Sequence, residues 1–272
     1  MSKKVSYAET TLVKSRTKKG KFKFLKILGL CLLLVAIIIT AGLLSGVITI
    51  GNFNFGSLFF KQSNVIKEHS YYLVSMGKYD NVNEAQSVAS GAAVMGAGAY
   101  VWELNKSYYV VGNFYKSLDE ANSVYNNIKG TGNYNITVEE VKFNKVNLNN
   151  KDYNKEQNKV VFDSVKFIDS VYEKCFDYSL KIDKNEVNAT LVSSELNNLK
   201  SECKIKASKL DTLNSYAVSE TTINIKNCYI GIIDALDNAI LKVINGSSIN
   251  SDLRYLVANI VVFKYNLYQN IC

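Results

Sequence analysis

One strand–turn–helix pattern occurs twice in this chain, and the duplication restricts the fold more than any other feature. Tyr71-Tyr72-Leu73-Val74-Ser75-Met76-Gly77-Lys78-Tyr79 precedes Glu84-Ala85-Gln86-Ser87-Val88. Tyr108-Tyr109-Val110-Val111-Gly112-Asn113-Phe114 precedes Glu120-Ala121-Asn122-Ser123-Val124. Each copy has β-branched and aromatic residues suited to a strand, then glycine, an aromatic, a polar turn and an alanine-bearing helix. Two copies of a unit of about 37 residues are too few for a solenoid. Side by side they form a split βαβ arrangement.

The pattern predicts strands at 71–76, 99–104, 107–112 and 135–141, and helices at 82–94 and 117–128. Asn105-Lys106 joins the middle strands as a tight hairpin. Residues 70–142 thus read βαββαβ, a ferredoxin- or RNP-like unit. Two helices are expected on one face of a four-stranded antiparallel sheet, with the other face open. The polar, Asn/Lys-rich segment 143–151 reads as a linker.

From residue 152 the apolar period changes from 2 to 3.6. Val161, Val165, Ile168, Tyr172 and Cys175 mark one stripe; Val192, Leu196, Leu199, Cys203, Leu210 and Leu213 a second. Ile225, Cys228, Ile232, Leu236, Ala239 and Val243 mark a third; Leu253, Val257, Ile260 and Leu267 a fourth. Short breaks between long helices imply antiparallel neighbours, so 152–272 reads as an all-α antiparallel helical bundle. The fold class is α+β.

Ahead of both stands a charge-segregated amino-terminal region. Residues 1–26 hold nine Lys and Arg against one acid, Glu9, which accounts for the whole net charge of +8. Residues 27–50 carry no charge. At about 1.5 Å per residue, 24 helical residues cross a hydrocarbon core of about 30 Å. Basic residues stay on the cytoplasmic side. The expectation is a cytoplasmic tail (1–26), a single transmembrane helix (27–50), a Phe-rich connector (51–69) and an extracytoplasmic remainder. The uncharged run is longer than a cleaved signal peptide needs. The positive charge lies in the tail and the remainder is neutral, so nucleic acid is not expected as a partner.

Catalytic signals are sparse. His69 is the only histidine. A zinc hydrolase commonly takes two histidines among about three protein ligands. No H-E-x-x-H, G-x-S-x-G or phosphate-loop motif occurs. The reading is of a protein that is not an enzyme and takes no cofactor or metal. Cys31 falls in the apolar run. Cys175, Cys203 and Cys228 lie on the helical stripes, as buried thiols or as disulfide partners. Of these, Cys203 and Cys228 are the favoured pair: each stands about 12 residues from the turn between the second and third helices, hence at similar height.

The repeat resembles the SPOR (sporulation-related repeat) domain family. Val74-Ser75-Met76-Gly77-Lys78-Tyr79 and Val110-Val111-Gly112-Asn113-Phe114 match its glycine-ended aromatic strands, and Ala85 and Ala121 match its helices. The resemblance covers about 72 residues; a single membrane helix ahead of the domain is also typical. It implies binding to septal peptidoglycan, on glycan strands stripped of stem peptides.

Strand alternation, with Met76 and Val111 set against the helices, leaves Leu73, Ser75, Tyr108 and Val110 on the open face. There a ring covers sugar C–H surface, and hydroxyls or cations meet sugar oxygens. Lys78 and Lys106 are candidates to pair with muramic carboxylates. Trp102 alternates with outward Glu103 and reads as core or as a ligand contact. The candidate glycan-binding residues are Leu73, Ser75, Lys78, Trp102, Lys106 and Tyr108. The expected function is that of a membrane-anchored peptidoglycan-binding protein of the division or sporulation septum. The alternative is a tethered scaffold whose residues 152–272 recruit a septal or sporulation protein.

Overall fold

The computed structural model describes residues 49–50, 53–54, 64–130, 134–246 and 248–272. The tail and most of the apolar run lie outside them. Among the described residues no helix is long and apolar enough to cross a membrane. Of the expected span 27–50 only its last two residues are described, and there Thr49–Ile50 (β1) is a strand paired antiparallel with Phe53–Asn54 (β2). Thr and Ile are β-branched, and Gly51-Asn52 is turn chemistry, which favours a hairpin at this point.

Residues 64–272 form one compact unit. Val65–Ile66 (β3) leads into His69–Tyr79 (β4), Val82–Val94 (α1), Tyr100–Leu104 (β5), Ser107–Tyr115 (β6), Leu118–Ile128 (α2) and Thr137–Phe143 (β7). The sheet order is β5-β6-β4-β7, with every pair antiparallel. Val146–Asn147 (β8) then pairs with β3. Four helices follow: Lys155–Asp183 (α3), Ala189–Tyr216 (α4), Glu220–Ile244 (α5) and Ile249–Ile271 (α6).

Local chemistry sets these boundaries. Asn105 and Lys106 both have positive φ, 50° and 63°, as a two-residue hairpin turn requires. Asn81, Ser117 and Asn188 cap α1, α2 and α4 through their side-chain oxygens. Asn154 and Gln157 form a reciprocal capping box on α3. In the bundle each helix packs against the next, and α6 returns against α3.

The repeat's two glycines are both bulge positions. Val74 pairs with Asn113 but Ser75 with Val111, so Gly112 is an extra residue in β6. Ser75 pairs with Val111 and Lys78 with Tyr109, so β4 carries an extra residue around Gly77. A Cβ on Gly112 would stand 2.8 Å from the Val74 carbonyl oxygen. Gly77 has φ +151°, and a Cβ there would meet the Tyr79 ring.

These bulges correct the expected facing of β6. Tyr109 and Val111 point toward the bundle core, whereas Val110 and Tyr108 pack with α1 and α2. Alternation counted through Gly112 slips by one residue. The open face is also corrected. One continuous apolar core joins Leu73, Trp102, Val111 and Phe114 to the bundle helices, and α6 lies across β5 and β6. The sheet is sandwiched between α1/α2 and α3/α6 because β4 and β6 are apolar on both faces, and both must be covered. Nor is 143–151 a free tether. Phe143, Val146 and Leu148 are buried, and Asn158 fastens the segment by donating to the carbonyls of Asn150 and Tyr153.

Candidate functional site

The six residues expected to hold glycan do not share a surface. Leu73 and Trp102 are buried against the bundle, and Trp102 packs edge-on to Phe114 and Tyr265. Ser75 is fully buried at the bulge. Its hydroxyl donates to the Gly77 carbonyl at 2.8 Å and accepts from the Gly77 amide. In this arrangement none of the three reaches a polymer. Lys78 and Lys106 are exposed and Tyr108 is half-buried. Tyr108 pairs with Tyr79 across the strands, and the Lys78 ammonium lies 5.5 Å from the Tyr109 ring centre. These three share one end of the β5–β6 hairpin region.

The densest polar chemistry lies elsewhere, where the sheet meets the bundle. β4 presents His69 and Tyr71, α3 presents Asp169, and α6 presents Lys264, which is 1 % exposed. Lys264 Nζ donates to Asp169 Oδ1, to His69 Nε2 at 2.8 Å and to the Tyr71 hydroxyl at 3.5 Å. The Tyr71 hydroxyl donates in turn to Asp169 at 3.2 Å. His69 Nδ1 lies 3.1 Å from the Lys67 carbonyl, so the neutral ring carries its proton on Nδ1 and keeps Nε2 as acceptor. All three ammonium hydrogens are therefore used. The rings of Tyr71, Phe143 and Tyr268 surround the charge at 5.0, 5.0 and 5.5 Å.

Burial lowers the Lys264 pKa, and Asp169 opposes that shift. Burial, then the Lys264 charge, lowers that of His69. Burial, then Asp169, pushes the Tyr71 phenol well up. A cleft of about 690 Å³ lies beside the network, lined by His69, Lys116, Lys166, Asp169 and Glu173 among others. The geometry pins β4 to α3 and α6. A signal for it exists in the sequence: Lys264 continues the apolar series Leu253, Val257, Ile260 at helical spacing, and a lysine there must find a partner inside.

Cys175, Cys203 and Cys228 are buried free thiols, so the Cys203–Cys228 bridge is not formed; Cys272 is free and exposed. Apolar packing pushes the thiols of Cys203 and Cys228 up to about 12. Among the described residues no three His, Cys, Asp or Glu side chains are grouped to hold a metal ion.

No protein-family model, curated protein or solved structure matches the chain. The likeness to SPOR domains therefore rests on the repeat itself.

Proposed function

We propose that the chain is a membrane-anchored, non-enzymatic scaffold that holds residues 64–272 outside the membrane for a protein partner. One observation carries this reading: α3 and α6 fill the sheet face that strand alternation left open for a glycan strand. The outer line of α5 supports the partner. Ile223, Ile230 and Leu241 are exposed, and spacings of seven and eleven residues place them within about 20° of one another on the helix.

A second reading keeps the glycan of the septum as ligand. It is favoured by Lys78 and Lys106, two exposed cations at the end of the sheet that also holds the half-buried Tyr108. There the contact is an edge of the hairpin rather than a sheet face.

One experiment separates the two. The soluble 64–272 unit is incubated with purified sacculi, with and without amidase treatment, and a photocrosslinking residue is placed at Ile230 in the full chain. The scaffold reading expects no retention on sacculi and a single crosslinked protein partner. Retention on amidase-treated sacculi that is lost in Lys78→Glu/Lys106→Glu would establish the glycan reading instead.

A further inference from the structure

Tyr216 and Val218, at the turn between α4 and α5, are 74 % and 76 % exposed. Ala217 between them is extended, with φ −151° and ψ 119°. In extended backbone the two neighbours of a residue point to the side opposite its own. Ala217 packs against the apolar core, so Tyr216 and Val218 face outward together. The turn is fastened in that state. The Tyr153 hydroxyl donates to the Ala217 carbonyl at 2.8 Å. Asn214 Oδ1 accepts from the Ser219 amide at 3.4 Å and from the Thr222 hydroxyl. Turns between helices are ordinarily polar. An aromatic and a β-branched residue fixed outward on one form a small contact surface.

This turn stands at the end of the unit where the chain enters it. The Asn64 carbonyl accepts from the Leu148 amide at 2.9 Å, and Asn64 Nδ2 donates to Asn149 Oδ1 at 2.9 Å. Residues 147–153 then share one cleft with Ser219, Thr221 and Thr222 of the turn. The opposite end lies one helix length away, about 37 Å for the 25 residues of α5. It holds the α5–α6 turn and the end of α1, where Ser251 and Arg254 donate to the carbonyls of Ala97 and Gly96.

We infer that the α4–α5 turn is seated in the lipid interface, with the Tyr216 ring at headgroup level and Val218 against the acyl chains. This rests on the membrane-anchored reading above. Between Ile50, the end of the apolar run, and Asn64 stand 13 residues, four of them phenylalanine. Aromatic rings favour the bilayer interface, so lipid lies next to Asn64 rather than at the far end. Tyrosine, with an apolar body and a polar tip, suits the same layer.

The test uses the full chain reconstituted in phosphatidylcholine vesicles, with and without lipid brominated on its acyl chains. Neutral headgroups are chosen because Glu220 flanks the turn. Trp102 is the only tryptophan and is buried, so its emission is a constant background. A second tryptophan is introduced as Val218→Trp or, at the far end, as Val94→Trp, a position 86 % exposed. Brominated lipid should quench about half of the emission added by Val218→Trp and almost none of that added by Val94→Trp. Combining Tyr216→Glu with Val218→Trp should restore most of the lost emission. Flotation of the vesicles after an alkaline wash reads the anchor separately. A chain that floats with Val218→Trp unquenched, or with both positions quenched alike, overturns the seating of the turn and leaves the anchor standing. A chain that does not float overturns the anchor and this inference with it.

Discussion

Lys264 Nζ lies 2.8 Å from His69 Nε2, joining residues 195 apart in the chain. The contact works only while the imidazole is neutral, because a protonated ring has no lone pair to offer and sets a second positive charge beside the ammonium. Asp169 on α3 and Tyr71 on β4 complete the group. One lysine thus ties the first strand of the duplicated unit to the first and last helices of the bundle.

Removing that lysine should be costly. Lys264→Met preserves length and apolar stem but leaves Asp169, His69 and Tyr71 without their donor. Breaking a buried pair from one side typically costs about 3–5 kcal/mol, and the partial exposure of Asp169 puts the expected loss nearer 2–3 kcal/mol. Urea unfolding of the 64–272 unit measures it. Lys264→Met/Asp169→Leu should lose less than the two single variants added together.

Stability should fall on mild acidification. His69 has a folded pKa below its unfolded value of 6.5, so the unfolded chain binds its proton first. Its contribution is full above pH 6.5 and is lost as pH falls through the lower folded value. Urea midpoints measured from pH 7.5 down to pH 5 should decline, and His69→Gln should flatten that decline. An unchanged slope in the variant would mean that other groups carry the effect.

Gly112→Ala should destabilise the unit by about 1–3 kcal/mol. The new methyl group would meet the backbone oxygen of Val74 at 2.8 Å, and backbone in a paired strand yields little. The measurement is the shift in thermal midpoint, with the neighbouring Val111→Ala as a control for simple loss of packing.

Trp102→Ala should behave as a core deletion and cost about 3–5 kcal/mol, because the ring is enclosed by Phe114 and Tyr265. If Trp102→Ala left the midpoint unchanged, the bundle would not be seated on this face of the sheet.

Thiol titration of the native 64–272 unit with an aromatic disulfide reagent should show one fast-reacting group, Cys272. Cys203 and Cys228 stay protonated and enclosed, and Cys175 is pushed higher still by burial. All four should react once the protein is unfolded.

The order of the four sheet strands and six helices was readable from local chemistry alone, whereas the short pairs β1–β2 and β3–β8 were not. Alternation, Asn105-Lys106, Asn81, Ser117 and the Asn154–Gln157 box act within a few residues of themselves, and a linear chain displays such signals directly. The helical stripes also named most of the bundle core, from Val161 to Leu267. Three things needed tertiary structure. The facing of β6 turned on a bulge at Gly112, and a bulge is defined by the partner strand rather than by its own sequence. The fate of the second sheet face turned on α3 and α6, more than 50 residues downstream of Leu104. Its clue, Tyr71 and Leu73 apolar on one face while Val74 and Met76 are apolar on the other, reads equally as an open aromatic surface until something is seen to cover it. Lys264 was legible as a misfit in an apolar stripe, but its partners come from β4 and α3, and only packing brings those three elements to one point.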